Sequence, residues 1–133
     1  MNGLYAKGRE KFLQGAVSWP DDDIVAVFVT AAYTPDFDVD EYLADIAVGA
    51  RIATSDVLAD KTTTGGWAGS GNIVWQTVTG PTCVAFVVVH DTGDVATSPL
   101  LAYIDTGVTN LPLDPSGVKV TLIPDPDTGL FRL

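Results

Sequence analysis

The run Ile24-Val-Ala-Val-Phe-Val-Thr-Ala-Ala-Tyr33 constrains this chain more than any other segment. A strand with one wet face alternates apolar and polar residues. This run does not, so it reads as a central strand buried on both faces for most of its length. A fold containing it must supply cover for two sides of a sheet. Further strands are expected at Arg51 to Thr54, Ile73 to Val78, Cys83 to Val89, Leu100 to Ile104, Val118 to Ile123 and the closing Leu-Phe-Arg-Leu. Thirteen Gly and eight Pro punctuate them. Six to eight short strands separated by turn signals predict a mainly β fold, an antiparallel β-sandwich or barrel.

Two short helices are expected near the N-terminus. Asn2 to Gln14 has a plausible N-cap in Asn2, a stripe of Leu4, Gly8 and Phe12 with Tyr5 and Leu13 beside it, and a stop at Gly15. A second helix is expected to begin at Asp38 or Asp40 and run through Ile46, with Asp40 and Glu41 at its positive end. Trp19-Pro20 and Asp21-Asp22-Asp23 form a turn. Lys61 to Gly71, rich in Thr and Gly around Trp67, reads as an exposed hairpin tip or a loose strand. The chain of 133 residues divides into residues 1–15, an N-terminal helix or docking arm, and a single β-rich domain over 16–133.

The tripeptide Asp-Thr-Gly occurs three times, at Asp91, Asp105 and Asp127. It is also the signature of aspartic proteases, which need two carboxylates sharing one proton. Cys83 to Val89 and Leu100 to Ile104 are joined by a turn-rich loop, so they should pair as an antiparallel hairpin. Asp91 and Asp105 then leave opposite ends of it. At about 3.3 Å per residue they stand roughly 17–26 Å apart, which forbids a dyad within one chain. A homodimeric protease pairing one Asp from each subunit is the remote alternative. The turn reading needs less: Asp accepts local backbone hydrogen bonds and Gly supplies positive φ.

Other chemistry finds little support. One Cys, Cys83, and one His, His90, leave no Cys/His metal cluster, and their odd spacing on an extended strand points them to opposite faces. Asp36, Asp38 and Asp40 have calcium-like spacing, but an EF-hand loop starting at Asp36 would need Gly where Glu41 stands and Glu where Ala47 stands. Trp67 and Trp75 are candidates for a sugar site, against the commoner fate of core packing. No cofactor is implied. A net charge of −10 and a pI near 4.1 disfavour nucleic acid and anionic membrane as partners. No stretch approaches the length of a membrane-spanning segment, and no signal peptide is expected.

Charge is unevenly placed. With Lys7, Arg9, Lys11 and Glu10, residues 1–15 carry +2 while the remainder carries −12. One reading is a helix resting on its own acidic domain. The other is an arm in which Leu4, Tyr5 and Phe12 anchor a partner and Lys7, Arg9 and Lys11 add electrostatic fit.

The opening Asn2 to Gly15, the segments Leu101-Ala-Tyr-Ile-Asp-Thr-Gly107 and Leu111-Pro-Leu, and the closing Leu130 to Leu133 together resemble a family of small structural proteins of tailed bacteriophages. Asp40-Glu41-Tyr42-Leu43 and Ala50 to Ser55 fit the same resemblance. It implies a virion component without enzymatic activity, present in many copies: a capsid decoration protein bound to the major capsid protein, or a tail, collar or fibre-base protein of the same particle. Such a protein is expected to be a homo-oligomer.

Overall fold

A computed structural model describes residues 2–108 and 111–133; Met1, the first residue of the 1–15 segment, lies outside the described residues. Among the described residues there are nine strands and one α-helix: β1 (Gly3–Leu4), α1 (Ala6–Leu13), β2 (Ile24–Thr30), β3 (Arg51–Thr54), β4 (Trp67–Ala68), β5 (Ile73–Val78), β6 (Cys83–His90), β7 (Leu100–Ile104), β8 (Val118–Leu122) and β9 (Phe131–Arg132). Five of them form an antiparallel sheet in the order β1-β7-β6-β2-β3, while β4 pairs with β9 and β5 with β8. The fold is mainly β and sandwich-like, as the strand pattern predicts.

The central run behaves as expected. All seven residues of β2 are buried, and they alternate between two apolar layers. Ile24, Ala26 and Phe28 face one layer with Phe86, Val88, Trp75 and Ile73. Val25, Val27 and Val29 face the other with Val87, Val89, Tyr5, Tyr33, Leu43 and Ile46. The first layer is closed by the β5–β8 and β4–β9 pairs. The second is closed by Tyr5 and by the irregular segment 33–50. Aromatic packing concentrates in the first: Phe28 stacks on Trp75 at 4.0 Å, and Phe86 meets Trp75 edge-on at 5.9 Å. The Trp75 indole donates to the Ala26 carbonyl at 3.0 Å, so even its polar atom is satisfied inside.

After β3 the chain keeps following β2: the N–H groups of Ser55 and Leu58 donate to Ala26 and Ile24, while Asp56 N–H turns outward to Val74 of β5. This stretch therefore stitches the large sheet to the β5–β8 pair, a corner of the kind that lets strands change sheets. At the other side, the free edge of β7 is sealed. β1 pairs with Ala102 and Tyr103, Tyr5 N–H donates to Leu101, and Leu100 N–H donates to Glu41. From Leu100 to Tyr103 this edge of β7 is thus engaged by the chain's own backbone, which blunts it against extension by another chain.

Both helix expectations need correction. The first helix starts at Ala6, not Asn2, because Gly3–Leu4 gains a strand partner in β7. Asn2 does not cap it; its side chain instead accepts from the N–H groups of Asp105 and Thr106 and donates to the Thr106 carbonyl. The expected helix through Ile46 is reduced to 3-10 turns at Leu43–Asp45 and Val48–Ala50. Asp40, one of its expected caps, accepts from Asp36 N–H and the Tyr33 hydroxyl, while Asp45 accepts from Glu41 and Tyr42 N–H and so caps only the short turn Leu43–Asp45.

Two substitutions test this architecture. Trp75→Ala should lower the unfolding free energy by about 3–5 kcal/mol, read as an early urea midpoint. Gly8→Ala should also destabilise, although Ala favours a helix interior by about 1 kcal/mol. Gly8 lies against β7, and a Cβ there would come within 2.4 Å of the Leu100 carbonyl oxygen. A stabilised Gly8→Ala protein in the same urea titration would show that the helix is not held against the sheet.

Candidate functional site

The three Asp-Thr-Gly copies sit in turns. Asp91 follows the end of β6 and Asp105 the end of β7, and the register Phe86↔Ile104 with Val89↔Leu100 puts them at opposite ends of the hairpin. Gly93, Gly107 and Gly129 all have positive φ, at 89°, 74° and 57°. In the first copy Asp91 Oδ1 accepts from Gly93 N–H at 2.9 Å, the Asx turn anticipated. In the third the role has moved two residues upstream, where Asp125 Oδ1 accepts from Asp127 and Thr128 N–H. Those two donors hold the Asp125 carboxyl below its usual range.

The second and third copies border one cleft of about 600 Å3, walled by Trp67, Ile104, Leu122 and Leu130 with Asn2, Thr106, Asp125 and Thr128 among its polar lining. Its size is that of a ligand pocket. Its amide and its carboxylate are engaged in holding the surrounding turns: Asn2 Oδ1 takes two N–H donors, and Asp125 Oδ1 takes two.

The remaining candidates separate cleanly. Trp75 belongs to the core. Trp67 is half-buried, with the Arg132 guanidinium 5.5 Å from its ring centroid. Cys83 is buried, and burial pushes its thiol up to about 11. His90 ends β6, 3.8 Å from Asp22. Asp36 and Asp40 accept local backbone and hydroxyl donors, and no group of three or more metal-ligating side chains forms among the described residues. Tyr5, Tyr33 and Asp40 make a hydrogen-bonded chain instead, at 2.7 and 2.8 Å. Burial is the main force raising both phenols above the ordinary tyrosine value of 10.0.

The N-terminal segment presents only part of the surface expected of it. Tyr5 is fully buried under the sheet, Leu4 packs on the core, and Phe12 lies against Phe131 at 6.4 Å. Lys11 bonds Glu41 at 3.0 Å and sits over the Tyr42 ring, which raises its own pKa and lowers that of Glu41. Lys7 pairs with Glu10 at 3.6 Å. Arg9 stays exposed, as does Leu13 at 89%. Beside Phe12 the C-terminal strand opens a small apolar groove of about 110 Å3, lined by Phe12, Trp19, Trp67, Ala68, Phe131 and Leu133. Sequence reasoning had no signal for this groove, because its walls come from three distant segments. No protein-family model matches the chain, and no curated protein matches it in sequence.

The tyrosine chain yields a pH prediction. A group whose folded pKa lies above its unfolded one contributes stability that is full below the unfolded value and is lost as pH rises past it. The melting temperature should therefore hold steady through neutral pH and fall once pH exceeds about 10. Tyr33→Phe should make that alkaline fall shallower. An equally steep fall in the variant would remove these phenols from the account.

Proposed function

We propose that this protein is a non-enzymatic structural component of a tailed-bacteriophage virion, a capsid decoration protein bound in many copies to the major capsid protein. The observation that carries the reading is spatial. Four of the segments that resemble phage structural proteins, 2–15, 40–43, 101–107 and 130–133, are scattered in sequence but in contact in the fold, while 50–55 lies at the opposite edge of the sheet, on β3. Gly3–Leu4 pairs with Ala102–Tyr103, Asn2 holds the Asp105–Thr106 turn, Phe12 packs on Phe131, and Lys11 and Leu100 both bond Glu41. These four pieces, too short to mean much singly, are joined to one another by direct contacts.

The physical character of the domain supports the same reading. Two apolar layers and a sealed β7 edge make a stiff unit, and side-chain-to-backbone bonds brace several loops. Its acidity keeps many copies soluble at high local concentration. The carboxylates that sequence spacing marks as candidate chemistry serve turns, as Asp91 does for Gly93 and Asp40 for Asp36. Such a unit suits a task of covering and bracing a lattice better than one of turning over a substrate.

Adding the purified protein to capsids that lack it, and imaging them by electron cryomicroscopy, tests the assignment. The expected result is extra density at symmetry-repeated positions on the shell. Density confined to the tail or collar would move the protein to that part of the particle, and no particle association would overturn a virion role.

A further inference from the structure

The groove beside Phe12 is too small for a small-molecule pocket, which typically spans about 300–1,000 Å3. At about 110 Å3 it holds one aliphatic side chain, or only a few waters at about 30 Å3 each. Its lining is almost wholly apolar, and it includes Trp67 and Phe131, residue types that anchor protein contacts. An exposed leucine lines it, Leu133 at 61% exposure. Two arginines belong to the segments that line it. Arg132 lies over the Trp67 ring, and Arg9 stands one helical turn before Phe12 and Leu13. The ligand this calls for is an apolar side chain between carboxylates.

The same chain carries one. Val39 is 67% exposed, with Asp38 and Asp40 as its immediate neighbours and Asp36 just before them. The other exposed apolar side chains fit less well. Val48 and Ile123 have uncharged neighbours, and Val118 is next to a lysine. Val57 and Val95 each have a single acidic neighbour, Asp56 and Asp94, where Val39 stands between two. Val39 does not fill the groove of its own chain, since it is solvent-exposed there.

We propose that the groove is a self-association site that receives Val39 of a second copy, with Arg9 and Arg132 facing the carboxylates of the Asp36–Asp40 loop. A knob and a groove at different places on one surface build rings or paired contacts according to the rotation between copies. The contact supplies the homo-oligomer of the function proposed above with its surface. It is measured on the isolated protein, so its failure leaves the capsid reading standing, and failure of capsid binding leaves this contact standing.

Sedimentation equilibrium of the full chain, over a wide concentration range and at low and high salt, tests it. The wild type should self-associate, more weakly as salt rises. Val39→Asp, at an exposed position, should weaken association by about tenfold or more. The paired change Arg9→Glu with Arg132→Glu, and separately Asp38→Lys, should each weaken it, and mixing the two charge-reversed proteins should restore association between them. Circular dichroism confirms that each variant is folded. A wild type that stays monomeric overturns the proposal. So does association that ignores Val39→Asp, or charge-reversed proteins that fail to associate when mixed.

Discussion

The pairing of β2 with β6 is the constraint on which the rest depends. Both strands are buried along almost their whole length, so neither can satisfy its backbone with water, and each needs a strand on both sides. β3 and β7 fill those places. Their side chains then need cover on two faces, which commits Trp75, Trp19 and Phe131 to one layer and Tyr5, Tyr33 and Ile46 to the other. The N-terminal segment is drawn in by the same demand. It supplies β1 to the open edge of β7 and Tyr5 to the second layer, which leaves a short helix, not a free arm.

Acidity in this protein is largely a matter of turns. Asp22 accepts from Ser18 N–H, Asp45 from Glu41 and Tyr42, Asp91 from Gly93, and Asp125 from Asp127 and Thr128. A carboxylate placed this way closes a loop without burying charge, and it leaves the domain with a net charge of −10. In the first Asp-Thr-Gly copy the Asp itself accepts from Gly93 N–H, while the second turn is held by Asn2. The strand ends at Asp91 and Asp105 are at opposite ends of one hairpin, and in the third copy the bonding acid is Asp125 rather than Asp127.

The strands were largely legible in the residues, because unbroken apolar runs and Gly/Pro punctuation are local signals. β2, β5, β6, β7 and β8 all lie within a few residues of where the pattern puts them. The short pieces were harder. Gly3–Leu4 reads as the start of a helix, and Trp67–Ala68 as part of a hairpin tip or loose strand; each becomes a strand because β7 and Phe131–Arg132 offer it backbone partners. The helix expected from Asp38 or Asp40 failed for the converse reason: the Tyr33 hydroxyl and Asp36 N–H compete for Asp40, one of the two carboxylates expected to cap it.

The amino-acid sequence by itself determined the buried sheet, the places where the chain reverses, and the uneven distribution of charge, since each rests on neighbouring residues and on hydration. Only the tertiary structure decided which side chains face outward. Leu4, Tyr5 and Phe12 look alike to Leu13 on a helical stripe, yet the first three pack inward and Leu13 is left in solvent. Trp67 and Trp75 read alike too, but one stacks on Phe28 and the other walls a groove with Phe12 and Phe131. Exposure depends on contacts between segments more than a hundred residues apart, such as Phe12 and Phe131, and no local pattern encodes those distances.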